Sequence, residues 1–140
     1  MSAALLMCSP EGFAVNYEIN LWMKKQVGNV IREVALSQWQ ALFNTLSGMA
    51  EVQVMPGDPT WPDLVFTANA GLPVPVMKRF ILSNFKHPQR QGEKPLNRAW
   101  FESRDAMIES QGQRDHFRRL TFLAVADGFV MRGADKQRSH

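Results

Sequence analysis

The sequence predicts an α/β fold, and three stretches carry that prediction. Residues 29 to 47 place Ile31, Val34, Ala35, Gln38, Trp39, Leu42, Phe43 and Leu46 three and four positions apart, the signature of a helix with one apolar face. Glu51 to Met55 (EVQVM) follows as a short strand. Pro56 to Gly71 (PGDPTWPDLVFTANAG) then supplies a proline-rich loop and a second apolar run, Leu64 to Thr67, which reads as a short buried strand. Helix, strand, loop, strand is the alternation of α/β proteins.

The remaining elements fall into place around this stretch. Residues 3 to 8 read as a first strand, and Pro10, Glu11 and Gly12 turn the chain. Phe13, Val15 and Tyr17 alternate with Ala14, Asn16 and Glu18, as in a half-buried strand or extended segment. Asn20, Trp22 and Met23 fall in an irregular loop, with Trp22 read as a packing residue. Asn29 is the candidate N-cap of the long helix and Gly48 its C-terminal stop. Asp63 stands where loop becomes strand and is expected to face a pocket; Asn69 falls on the same face by strand alternation. A strand is expected at Arg79 to Ser83, a polar turn at residues 87 to 93 (HPQRQGE), and a second helix from Pro95 to about Ser110, with Ala99, Trp100, Ser103, Met107 and Ile108 on its stripe. Leu120 to Ala126 is apolar enough for a buried strand, and the end from Gly133 looks frayed.

Composition narrows the function classes. A chain of 140 residues, 45% hydrophobic and 21% charged, fits one soluble globular domain. No apolar run reaches membrane-spanning length, so no membrane partner is expected. The start, MSAALLMCSP, lacks the basic segment of a secretory signal, and the single cysteine, Cys8, permits no internal disulfide; both favour a cytoplasmic location. Charge is uneven: residues 1 to 77 carry three Lys/Arg against six Asp/Glu, and residues 78 to 140 carry thirteen against seven. Without an aromatic-interleaved basic stripe or a recognition motif, this reads as a solvated face and not as a nucleic-acid surface.

Chemistry-bearing patterns are few. His87, His116 and His140 lie far apart and none pairs with an acid or cysteine at ligand spacing, so no metal and no cofactor is expected. Phosphate-loop and nucleophile-elbow motifs are missing. Cys8 has no basic neighbour to lower its pKa and reads as a buried, inert thiol. Asp63, Asn69 and Arg90 remain as loop-proximal polar residues able to bind a small charged ligand, with turn capping and a surface cation as the alternative.

The wording of the chain is more specific than its patterns. MCSPEGFAVNYEINLWM (7 to 23), QW (38 and 39), MPGDPTWPDLVFTANAG (55 to 71) and LSNFKHPQRQGEKPLNRAWFE (82 to 102) resemble the N-terminal half of the amidinotransferase-like pentein proteins. That group includes dimethylarginine dimethylaminohydrolases, arginine deiminases, succinylarginine dihydrolases and glycine amidinotransferases. The resemblance covers about residues 5 to 105. It implies a five-fold α/β propeller of ββαβ-type modules, and chemistry in which a late cysteine attacks a guanidinium carbon while a histidine moves protons and acids grip the cation.

Residue by residue, Asp63 matches the family's guanidinium-binding acid. Asn69 matches a position that is aspartate in dimethylarginine hydrolases and asparagine in succinylarginine dihydrolase-like relatives. Ala68 replaces a glutamate of the former, and Arg90 matches the arginine that commonly contacts the substrate's carboxylate end. The family's catalytic histidine and cysteine segments have no counterpart here, and Cys8 matches neither. The resemblance therefore implies an open, truncated pentein of roughly two to three modules, at about 50 to 60 residues each. Residues 1–110 would form the N-terminal part and 111–140 a divergent tail. The chain would be the substrate-binding half of a guanidine-modifying enzyme, inactive alone, or else a non-catalytic binding module. The helix should cover a sheet containing residues 51 to 55 and 64 to 67, the latter strand being a condition of the assignment, and unpaired sheet edges should promote self-association.

Overall fold

In the computed structural model, the described residues are 4–74 and 79–104, together with the backbone of three strands at 107–110, 123–126 and 129–132. Strand β1 (Ala4–Cys8) pairs in parallel with β2 (Glu51–Met55), from Ala4 opposite Glu51 to Cys8 opposite Met55. A parallel pair needs a crossover, and helix α1 (Arg32–Ser47) lies on it and packs against β2 and the turn at Pro10–Gly12. A second sheet has the order β3 (Gly71–Val74), β4 (Arg79–Leu82), β5 (Met107–Ser110). There β3 and β4 are antiparallel, and β4 and β5 are parallel across helices α2 (Pro88–Gln91) and α3 (Glu93–Glu102). Strands β6 (Leu123–Ala126) and β7 (Phe129–Arg132) form an antiparallel pair. The sheets are not closed upon one another, the arrangement of a partial α/β propeller.

Several expectations hold. β1, β2 and β4 stand where the sequence puts them, Gly48 ends α1 by donating to the carbonyls of Thr45 and Leu46, and Pro95 sits in the first turn of α3. Others are corrected. Asn29 does not cap α1: the helix starts at Arg32 after an Ile31 cap without a side-chain bond, and the Asn29 amide donates to the Lys25 carbonyl. The apolar stripe packs only from Ala35 onward, because Ile31 and Val34 are 64% and 48% exposed. Trp22 is 89% exposed and packs no core.

Leu64 to Thr67 is not a strand. Residues Pro62–Val65 and Thr67–Asn69 form two 3-10 turns hinged at Phe66. Pro62 at the first helical position and Asp63 beside it favour a helical start, and burial of Leu64 and Val65 supplies the apolar character read as a strand. Met107 and Ile108 belong to β5, not to a helix running on to Ser110. The polar turn at 87 to 93 contains α2, started by Pro88. β3 carries Pro73 and lies at the edge of its sheet, where a residue that cannot donate to a ladder is tolerated. The strand expected over 120 to 126 is described only from Leu123, and the end from Gly133 lies outside the described residues.

Helix α3 joins the two sheets. Leu96 and Trp100 pack against the buried cluster of Cys8, Met55 and Leu64, together with Leu6 and Trp61. Phe101 packs against Ala70, Phe80 and Leu82, its ring stacked on Phe80 at 3.7 Å. The entrance to α3 is shaped by Gly92. A Cβ built there would lie 1.9 Å from Trp61 Cζ2, and Trp61 is held in the first cluster. Gly92→Ala is therefore expected to destabilise the fold by about 1–3 kcal/mol through overpacking. Urea unfolding measures this, and the cost should shrink in a Trp61→Ala background, where the ring is gone.

Candidate functional site

Asp63, Asn69 and Arg90 come from three different turns and meet. Asp63 is carried by the first 3-10 turn and Asn69 ends the second. Their relative placement follows from helical turns and not from strand alternation. The Thr67 hydroxyl between them donates to the Leu6 carbonyl at 2.9 Å and ties both turns to β1. Arg90 arrives from α2 and connects everything. Its Nη1 donates to Asn69 Oδ1 at 2.9 Å and its Nη2 to the Asp63 carbonyl at 3.1 Å.

Glu93 grips the same guanidinium in a bidentate pair, Nε to Oε1 at 2.8 Å and Nη2 to Oε2 at 2.9 Å, the geometry in which an Arg–carboxylate contact is strongest. The Asp63 carboxylate lies further off, with Oδ2 3.8 Å from Arg90 Nε, and accepts from the Tyr17 hydroxyl at 2.9 Å. Phe85 lies under the guanidinium, 4.6 Å from ring centroid to Cζ.

Two features set the electrostatics. Asp63 and Glu93 are 2% and 1% exposed, and these two carboxylates share one guanidinium, so the cluster carries one unmatched negative charge when both are ionised. Among the described residues, Asp63 Oδ1 is also buried and has no hydrogen-bond partner, an arrangement that costs about 1–3 kcal/mol or more for a charged group. Burial pushes Glu93 above the ordinary carboxylate value, with Asp63 adding to the push and Arg90 opposing it. Burial also raises the Tyr17 phenol well above its usual range, reinforced by its hydrogen bond to Asp63 and the charges of Asp63 and Glu93.

An open pocket of ≈ 380 Å³ adjoins the cluster, lined by Ala68, Asn69, Gly71, Ser83, Asn84, Phe85, Lys86 and Arg90. Asp63 is not among the residues that line this pocket. The first 3-10 turn holds Asp63 in a buried position. Cys8 is 0% exposed, and its thiol donates to the carbonyls of Ser9 and Pro56. Among the described residues, no three His, Cys, Asp or Glu side chains are grouped to hold a metal ion, and no helix is long and apolar enough to cross a membrane.

Sequence reasoning missed Tyr17, Glu93 and Phe85. Arg90 and Glu93 stand three apart, a spacing at which a pair could have been read, but residues 87 to 93 had been assigned to a turn. Tyr17 sits in the alternating segment, where only its hydroxyl hinted at a buried partner; the partner is 46 positions away.

Comparison with known proteins decides the relationship. No protein-family model matches the chain. It is 44% identical over 97 residues to the bifunctional arginine dihydrolase/ornithine cyclodeaminase AgrE of Nostoc sp., covering 69% of this chain and 14% of that protein. It is 33% identical over 98 residues to the dimethylarginine dimethylaminohydrolase of Mycobacterium tuberculosis, covering 69% of this chain and 32% of that one. The N-terminal domain of ArgZ, an arginine dihydrolase solved with its product, superposes with a TM-score of 0.78 at 38% identity over 81% of this chain and 41% of that chain. Over part of its length, this chain is a homologue of the pentein guanidine-modifying enzymes. It spans about 14% of the length of the bifunctional relatives that it matches. A crystal structure of a dimethylarginine dimethylaminohydrolase shares the fold with a TM-score of 0.61. A strand at Leu64 to Thr67 is thus no condition of the assignment, since the pentein match stands with those residues in 3-10 turns.

The raised Glu93 value fixes a pH dependence. The folded state holds this proton more tightly than the unfolded chain, so Glu93's contribution to stability is full below the ordinary carboxylate value and is lost as pH rises through the raised folded value. Urea midpoints of the wild type and Glu93→Gln, measured from about pH 4 to about pH 7, should show the wild type losing ground to the variant as pH rises. A gap moving the other way would mean that pairing with Arg90 outweighs burial.

Proposed function

We propose that this chain is the ligand-holding part of a guanidine-modifying enzyme and binds a small guanidino compound of the arginine type. The observation that carries this reading is the unmatched negative charge that the Asp63–Arg90–Glu93 cluster carries with both acids ionised, with Asp63 Oδ1 buried and without a hydrogen-bond partner among the described residues. A planar cation would satisfy both deficits at once. Support comes from the matched relatives, which are named as arginine dihydrolases and a dimethylarginine dimethylaminohydrolase. Asp63 is the acid for the guanidinium, with Asn69 and Arg90 at the same site, and these two side chains border the open pocket.

Residues 1–110 form the pentein-type part on this reading and 111–140 a divergent tail. Hydrolase and amidinotransferase chemistry both begin with the same grip on a guanidinium. The location is cytoplasmic, in keeping with the lone, buried Cys8.

Turnover is a separate matter. Thiolate attack and proton transfer must meet in one pocket, and Cys8 is enclosed in the core with its proton directed to backbone carbonyls. The isolated chain is therefore expected to bind L-arginine and to yield no citrulline, assayed by mass spectrometry; citrulline formation abolished by Cys8→Ser would identify Cys8 as the nucleophile after all. In calorimetric titration, Asp63→Asn should weaken L-arginine binding by about 10- to 100-fold, the worth of a charged hydrogen bond. Affinity should also fall as pH drops through the raised Glu93 value, because protonation removes the charge that attracts the cation. Retained affinity in Asp63→Asn would reject Asp63 as the binding acid.

Self-association belongs to the same reading. Among the described residues, the two-stranded sheet of β1 and β2 has no further strand on either side, and Leu21, Trp22 and Met49 are 86%, 89% and 71% exposed. Open edges and bare apolar side chains favour contact between copies. Sedimentation velocity should show mass rising with concentration, and a single monomeric species throughout would count against it.

A further inference from the structure

The chain holds a single tyrosine, Tyr17, and its hydroxyl donates to Asp63 Oδ2 at 2.9 Å. Among the described residues this is the one hydrogen bond that the Asp63 carboxylate accepts. Arg90 Nε lies 3.8 Å from the same oxygen, past hydrogen-bond reach, and Oδ1 is buried without a partner. The last torsion of an aspartate is broad and two-fold, so an unheld carboxylate would turn about its Cβ–Cγ bond and exchange its two oxygens. Tyr17 removes that freedom and fixes which oxygen is occupied and which is left over.

Tyr17 is itself held by its neighbours in the chain. Phe13 packs edge to face on Phe66, with ring centroids 5.9 Å apart, and the Phe66 amide donates to the Asp63 carbonyl at 3.0 Å, so Phe13 grips the same turn that Tyr17 addresses. The Val15 carbonyl accepts from the Gly28 amide at 3.0 Å, and Glu18 Oε1 accepts from the Lys25 amide at 2.9 Å. The backbone is thus tied on both sides of the tyrosine ring.

The chemical type of the donor matters. A lysine or arginine in direct contact would match the charge of the acid, whereas a phenol orients the carboxylate and leaves its charge in place. Burial, the hydrogen bond to Asp63 and the charges of Asp63 and Glu93 all raise the Tyr17 phenol above its usual range, against an opposing effect of Arg90. The hydroxyl therefore stays a protonated donor wherever the acid is ionised.

We infer that Tyr17 is a positioning residue for the cationic end of the ligand: by holding Asp63 Oδ2 it leaves Oδ1 as the acceptor for the cation, without discharging the acid. This rests on the guanidino reading of the site and adds to it a residue from the segment before α1.

The test uses the 140-residue chain. L-Arginine and agmatine, which is arginine without its carboxylate, serve as cationic ligands. L-Citrulline, in which an uncharged ureido group replaces the guanidinium, is the neutral control. Tyr17→Phe removes one oxygen and keeps the ring. In calorimetric titration it should weaken L-arginine and agmatine by the same factor, about three- to tenfold, the worth of one net hydrogen bond. The single tyrosine also gives a direct signal: with carbon-13 at the ζ position of its ring, one resonance reports the hydroxyl. That resonance should shift on saturation with either cation and stay in place with L-citrulline at the same concentration. A hydroxyl of purely structural use would not register the charge of the ligand, and this wild-type measurement decides even where Tyr17→Phe disturbs folding. The inference is overturned by unchanged affinity in Tyr17→Phe, by a loss for L-arginine alone, or by a Tyr17 resonance that ignores both cations or moves equally with L-citrulline. A wild type that binds neither cation overturns the guanidino reading and this inference together, whereas binding of both with no response at Tyr17 removes this inference only.

Discussion

The bidentate pair between Arg90 and Glu93 is the contact on which the site depends. Glu93 is 1% exposed, and a carboxylate so enclosed persists only with a cation against it. Once Arg90 is fixed by Glu93, its remaining donors have defined directions, and the Asp63 carbonyl and the Asn69 amide lie along them. The two 3-10 turns are thereby joined to the start of α3. Breaking the pair would free the turns that carry Asp63 and Asn69 as well as leaving a buried charge behind.

Backbone architecture places the pair where it can act. Each of the two parallel strand pairs is crossed by helix, β1 to β2 by α1 and β4 to β5 by α2 and α3, and the cluster sits between them. Helix α3 contributes to both hydrophobic clusters through Leu96 and Trp100 on one side and Phe101 on the other. Glu93 opens that helix, so packing of α3 sets its position to the accuracy of a core. The segment from Phe13 to Tyr17 is held by the edge-to-face contact of Phe13 with Phe66 and brings the Tyr17 hydroxyl to Asp63. Tyr17 and Arg90 thus approach Asp63 from separate elements, and neither satisfies Oδ1.

That residual deficit sets this cluster apart from a fully satisfied ion cluster. A structural cluster tends towards complete satisfaction because every unpaired buried group costs stability. Here, among the described residues, one buried carboxylate oxygen has no partner and, with both acids ionised, one negative charge is unmatched.

The sequence by itself determined the helix from its three-and-four periodicity, the short strands at 4 to 8 and 51 to 55, and the family resemblance carried by the words around Asp63 and Arg90. Such features are local: a helical stripe or a short apolar run is read from near neighbours in the chain. Only the tertiary structure decided that Leu64 to Thr67 is 3-10 turn and not strand. A short buried apolar run satisfies either geometry, and the choice rests on how Thr67 and Phe66 anchor to β1 and to Phe13. It also decided that Arg90 is turned inward. Tyr17, Asp63, Asn69, Phe85 and Glu93 are brought around one guanidinium from positions up to 76 apart, and no periodicity encodes which of them will be neighbours, because ion pairs and buried hydrogen bonds are chosen by the packing of elements distant in the chain.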